Sequence, residues 1–218
     1  MPPGFTALAL ALGLLVPTLP VVARAAQAPP APAAPRTEPP TPTPQPRPYG
    51  KRMPVAPALV SVEDGDTVTI RWSANDAEIV RILGIDAPET RNPEHNLPFA
   101  QAFGPEARAF AQGAFAAATR IELLRAATLD PFGRTLGYLF VNGHNYSVLV
   151  VKARLAEESI SRYGDNGLPA EAAAVAAAAA AAGPLPFEPP AVYRGRMREL
   201  SHWLREHGDP GMTASEKE

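Results

Sequence analysis

The chain of 218 residues contains no cysteine. That excludes a disulfide framework, a thiolate metal site and a lipid-modified N-terminal cysteine. Histidine is scarce as well, with four in all. His202 and His207 are five apart, poor spacing for sharing a metal on one helix face, and all four read as ordinary structural residues. The opening residues Met1 to Gly4 carry no Lys or Arg, so the stretch that follows lacks the usual charged lead of an export signal. Proline, by contrast, is abundant, with 27 residues. They gather between Pro29 and Pro57 and again between Pro184 and Pro190, leaving a middle stretch of ordinary composition.

That distribution divides the chain. Phe5 to Val22 is almost continuously apolar and ends in Ala23-Arg24-Ala25, a small-x-small cleavage pattern, so residues 1–25 are expected to be a signal peptide. Secretion, or release into a periplasm, follows. The alternative is an uncleaved membrane anchor, which Pro17 and Pro20 disfavour by interrupting the late part of the run. After cleavage no stable membrane insertion is expected. Residues 26–57 read as a Pro/Ala-rich linker that, at ~3.1 Å per residue, reaches on the order of 100 Å. Residues 58–168 are the folded domain. Residues 169–190 form an Ala/Pro-rich low-complexity segment, helical by propensity over Ala170 to Ala182 but with little side chain to pack. In residues 191–218 Tyr193, Met197, Leu200 and Leu204 recur at helical spacing, predicting an amphipathic helix that docks this stripe on the domain.

Within the domain, Ala58–Val62, Thr67–Trp72 and Glu78–Ile85 read as three strands parted by turn residues. A helix follows, opened by Pro105 and Glu106, which suit a first turn. Ile121–Arg125 and Thr135–Val141 give two more strands, and Asn145 caps a second helix. Three strands, a helix, two strands and a helix predict an α+β fold, a five-stranded OB-type Greek-key β-barrel with two or three packed α-helices. In such barrels the connections after the first and fourth strands lie on the side that commonly holds nucleic acid.

Three short runs concentrate the chemistry: Asp64-Gly65-Asp66-Thr67, Arg81-Ile82-Leu83-Gly84-Ile85-Asp86-Ala87-Pro88-Glu89-Thr90, and Asp130-Pro131-Phe132-Gly133-Arg134. Carboxylates gather a hard cation such as Ca²⁺. Arginine forks grip phosphate oxygens two at a time. A further carboxylate within reach of both can take a proton from water. Metal, phosphate clamp and base together are the parts of a phosphodiesterase.

The order and wording of these runs resemble the staphylococcal nuclease (thermonuclease) family, from about Val60 to Gly167. Phe103-Gly104-Pro105-Glu106-Ala107 and Leu149 to Ala156 resemble its first and second helices. The resemblance implies Asp66, Asp86 and the Ala87 main-chain carbonyl as Ca²⁺ ligands, with alanine standing where the family often has threonine. It implies Glu89 as the base that activates the attacking water, and Arg81 and Arg134 as phosphate clamps. Asp64 would orient its neighbours. The implied protein is a monomeric, exported, Ca²⁺-dependent nuclease acting on single-stranded DNA or RNA.

Each residue also has a plainer reading. Asp66 suits a turn after Gly65, Asp86 a loop opening before Pro88, Glu89 a solvated loop, and Arg81 a structural pair with one of the carboxylates. Pro131 and Phe132 stand where the family commonly has lysine and tyrosine, and Ile160 and Arg162 where it has stacking tyrosines. From Val55 to Leu168 there are 10 Lys and Arg against 14 Asp and Glu, a net of −4, unlike the basic surface usual in nucleic-acid binders. A non-catalytic OB-fold binding or scaffold module is therefore the alternative, and an esterase for another phosphodiester a third. Arg81, Asp86, Glu89 and Arg134 together favour the enzyme, since a scaffold has no need of all four.

Overall fold

The computed structural model describes residues 42–208. The signal peptide expected over residues 1–25 lies outside them, as does the first half of the linker, residues 26–41. Nine strands are present among the described residues: β1 (Arg52–Val55), β2 (Val60–Val62), β3 (Thr67–Ser73), β4 (Asp76–Ile82), β5 (Ile85–Asp86), β6 (Ile121–Leu129), β7 (Thr135–Val141), β8 (His144–Asn145) and β9 (Glu157–Glu158). Helices α1 (Gly104–Ala116), α2 (Tyr146–Lys152), α3 (Ile160–Tyr163), α4 (Pro169–Ala182) and α5 (Pro190–His207) complete the fold.

The main sheet runs β1-β6-β7-β4-β3-β2, with β8 paired to β7. Every pairing in it is antiparallel except β4 with β7, which is parallel. β1 and β2 stand at opposite ends of this order yet are separated in the chain only by Ala56 and the single 3₁₀ turn Pro57–Leu59. One broken strand therefore supplies both outer strands and curls the sheet into an OB-type half-barrel.

This corrects the linker boundary. Residues 52–55 fall within the stretch 26–57 expected to be a spacer. The strand is real because its neighbour β6 supplies a long edge: Arg52 lies opposite Leu124 and Val55 opposite Ile121. Even earlier residues are held, with Gln45 N–H donating to the Ala127 carbonyl at 2.9 Å and Gly50 N–H to that of Arg125 at 3.0 Å.

The two helices expected in the domain form as the caps predict. Pro105 and Glu106 sit in the first turn of α1, and the Asn145 side chain accepts from Ser147 N–H at the start of α2. Ala107, Ala111 and Phe115 of α1, with Tyr146, Val150 and Val151 of α2, close the barrel core of Val68, Ile70, Val80, Ile82, Leu123, Tyr138 and Leu139. The alanine run also packs, contrary to expectation. Ala172, Val175 and Ala178 of α4 are buried, and the helix lies along α2 and β9. Small side chains let the two backbones approach, and the single Val175 fills what remains. Among the described residues no helix is long and apolar enough to cross a membrane.

β4 carries an inversion of the usual pattern. Glu78 points inward and is 5% exposed, whereas Ile79 is 48% exposed. The buried carboxylate is fully partnered: Arg125 donates through Nε and Nη2, both at 2.7 Å, Thr135 Oγ1 at 2.6 Å and Trp72 Nε1 at 2.8 Å. Burial pushes the Glu78 carboxyl up, but these donors outweigh it and hold it below the ordinary range.

Candidate active site

The first two sequence runs meet at one end of the barrel. Gly65 permits the approach, since a Cβ there would fall 2.7 Å from the Ala87 Cβ and 3.0 Å from that of Ala107. The Asp64 side chain accepts from Asp66 N–H at 3.0 Å, and Tyr146 Oη donates to the Gly65 carbonyl at 2.8 Å. The turn before β3 is thereby fixed against α2. Asp66 is buried, and its Oδ2 accepts from Ala87 N–H at 2.7 Å and pairs with Arg81 Nη1 at 2.8 Å. Desolvation pushes the Asp66 carboxyl up to about 7, against the pull of Arg81.

Arg81 leaves β4 on the face opposite Val80 and Ile82 and bridges two carboxylates, its Nη2 lying 3.1 Å from Asp86 Oδ1. Its plainer reading as a structural pair is thus met twice over. Asp86, at the end of β5, is 1% exposed, and its strand is backed by β9. Glu89 follows in the loop 87–103. That loop presses on the start of α1, where a Cβ on Gly104 would fall 2.1 Å from the Glu89 carbonyl oxygen. Gln101 secures it from both sides: Glu89 N–H donates to Gln101 Oε1 at 3.2 Å and Gln101 N–H to the Glu89 carbonyl at 2.8 Å.

The structure therefore gathers Asp66, Arg81, Asp86, Ala87 and Glu89. Ala87 takes part here through its amide. Arg134 is held apart, in its own loop between β6 and β7: its Nε lies 2.7 Å from Asp130 Oδ2 and its guanidinium over the Phe132 ring. At 30% side-chain exposure it remains open to solvent.

Two arginines beyond the expected set complete the cluster. Arg194 of α5 grips Asp86 with both nitrogens, Nη1 to Oδ1 at 3.0 Å and Nη2 to Oδ2 at 2.8 Å, and its Nη1 also reaches Glu89 Oε1 at 2.5 Å. Burial works against its charge, but Asp86 and Glu89 outweigh that and raise its pKa further above the ordinary arginine range. Burial also raises the Glu89 carboxyl, opposed by Arg194. Arg162, placed by sequence at a base-stacking position, lies 3.7 Å from Asp86 Oδ2 and 3.6 Å from Glu157. The sequence signal for Arg194 was the acid excess of the domain beside a final helix bearing Arg194, Arg196, Arg198 and Arg205.

Helix α5 docks, but on the Glu89 loop rather than on the barrel. Tyr193 and Met197 bury Leu97, with Leu200 half-buried beside them, while Leu204 stays outside this cluster. Tyr193 Oη donates to the Phe99 carbonyl at 3.0 Å and Ser201 Oγ to that of Asn96 at 3.1 Å.

Among the described residues no group of three His, Cys, Asp or Glu is arranged to hold a metal ion. The donor chemistry nonetheless suits a hard cation: Asp66 and Asp86 are buried carboxylates with Glu89 beside them, and a cation, the Arg194 guanidinium, already lies against Asp86 and Glu89.

Residues 79–182 match the model of a family described as staphylococcal nuclease homologue. The match takes in Arg81, Asp86, Glu89 and Arg134, ends with α4, and leaves out Asp66 and α5. A curated thermonuclease from Staphylococcus intermedius is 36% identical over 96 residues, 44% of this chain and 54% of that protein. The chain thus spans about half the length of this relative.

Proposed function

From a domain that belongs to the staphylococcal nuclease family, a family of nucleases, we propose a Ca²⁺-dependent hydrolase of phosphodiester bonds in single-stranded DNA or RNA. The observation that carries this reading is the convergence of Asp66, Arg81, Asp86 and Glu89, from three separate segments, into one recess. We extend it to a monomer exported on residues 1–25.

Glu89 is the base: its carboxylate takes a proton from a water molecule, and its raised pKa brings it closer to the working pH. Asp66, Asp86 and the Ala87 carbonyl would hold Ca²⁺. When bound, that ion supplies Lewis-acid stabilisation of the phosphate charge. Arg81, fixed between two carboxylates, orients one phosphate oxygen by a charge-assisted bond. Arg134 turns from Asp130 to a second oxygen and offsets the charge that develops as the ester bond breaks.

A binding module is the second reading, and the engagement of Glu89 and Asp86 by Arg194 favours it. Incubation of the purified chain with single-stranded DNA and RNA, with Ca²⁺ or with chelator, separates the two. Cleavage that requires Ca²⁺ is expected; retention of intact nucleic acid under both conditions would leave the binding module standing.

A further inference from the structure

Arg194 lies outside the family match and reaches the candidate site from the last helix of the described chain. Its Nη1 sits between two carboxylates three residues apart in one run, 3.0 Å from Asp86 and 2.5 Å from Glu89. Arg81 bridges Asp66 and Asp86, and Arg162 lies 3.7 Å from Asp86, but the cation that meets Asp86 and Glu89 together is Arg194. The place that Arg194 fills is therefore one where a positive charge answers two acids at once.

The attachment of α5 tells the same story. Gln101 Nε2 donates to the Glu188 carbonyl at 2.7 Å, Phe187 stacks obliquely on Phe103, and Arg205 Nη1 reaches Asn96 Oδ1 at 2.6 Å. Together with the Tyr193 and Ser201 bonds, these contacts bind α5 to the loop that carries Glu89 and to little else. The loop and the helix form one clasp, with Arg194 at its closing point.

We infer that Arg194 is an internal cation that closes the site at Asp86 and Glu89, so that a divalent metal ion and the Arg194 guanidinium compete for Asp86. This rests on the metal reading given above. Closing and metal loading oppose each other at Asp86, whose two oxygens Arg194 holds, and closing also caps Glu89 through Nη1. The chain thus carries its own inhibitor, released by calcium, and an enzyme meeting low calcium would keep Glu89 capped.

Calorimetric titration of chelator-treated protein with calcium chloride tests this on the whole chain. Arg194→Gln is expected to bind calcium about tenfold more tightly or better, whereas Arg198→Gln, the same charge change on the exposed face of α5, leaves affinity unchanged. If Arg194→Gln fails to fold by circular dichroism, Met197→Ala/Leu200→Ala decides, since it keeps Arg194 but loosens the clasp. Tighter calcium binding in that variant supports competition; unchanged binding overturns it. Equal or weaker binding in a folded Arg194→Gln also overturns it, as does a lack of calcium binding in every variant. The nuclease reading fails separately, if Arg194→Gln binds calcium more tightly and yet no variant cleaves single-stranded DNA or RNA.

Discussion

Glu78 and Asp86 are both buried carboxylates that face arginines, and they lie at opposite ends of one small motif, β4 to β5. Around Glu78 the hydrogen-bond donors belong to the barrel wall, Arg125 and Thr135 on β6 and β7 and Trp72 on β3, with Arg47 Nε 3.6 Å away ahead of β1. Each acid oxygen has its donors, and Arg125 holds both. Around Asp86 the acids outnumber Arg81 of the barrel, and the balance comes from beyond it, from Arg162 and above all from Arg194, 108 residues further along the chain. A closed pair holds a structure together. An open set of carboxylates that borrows its counter-charge is built to exchange it.

The contrast breaks most sharply at Glu89. Replacing it with glutamine is expected to leave the fold intact and lower turnover by about 10²–10⁴-fold, measured on protein freed of contaminating nuclease. Undiminished cleavage would remove Glu89 from the chemistry. At the other cluster the effect should fall on stability instead. Arg125→Ala strands Glu78 in the barrel and is expected to cost about 3–5 kcal/mol in urea unfolding. Glu78→Gln/Arg125→Met, which removes both charges, should recover most of that loss; failure to do so would mean that Arg125 acts through packing and not through its charge.

Acid sharpens the same distinction. The native state holds Glu78 below its ordinary pKa, so the unfolded chain binds its proton more readily. The stability that this group contributes is present above about pH 4.3 and is lost as pH falls through the lower native value. Urea midpoints should therefore drop in acid for the parent and drop less for the doubly substituted barrel; parallel curves would refute the assignment. The smallest effect is expected at Arg134, whose pair with Asp130 is partly exposed. Arg134→Gln should change stability by less than about 0.5 kcal/mol, and a larger loss in the same urea assay would show that it belongs with the structural arginines.

How much of this was legible in the sequence depended on how far apart the partners lie. Asp66, Asp86 and Glu89 stood in motifs whose turns fix them locally, and the strands and caps of the domain followed from alternation, Pro105 and Asn145. β1 was missed because four residues containing Pro54, inside a proline-rich stretch, carry no strand signal of their own; their partner is β6. The alanine run was readable as a helix but not as a packed one, since close backbone approach leaves no trace in hydrophobicity. The burial of Glu78 at the head of the third predicted strand was not legible, because a strand that buries a glutamate and exposes Ile79 defies the usual alternation. Arg194 looked like one of several arginines on a polar face, because its meaning lies in carboxylates about half the chain away.

The broken first strand also bears on how the barrel forms. Gln45 bonds to Thr135, 90 residues later, and Arg125 reaches back to the Pro48 carbonyl across 77. The segment made first cannot take its place until β6 and β7 exist, so the loop that must close is long and its contacts are non-local. Folding should therefore be governed by a late zipping of residues 43–55 onto β6. Until then the β6 edge stays open to another chain. While the chain is still folding, that waiting edge is the point at which this protein is most exposed to aggregation.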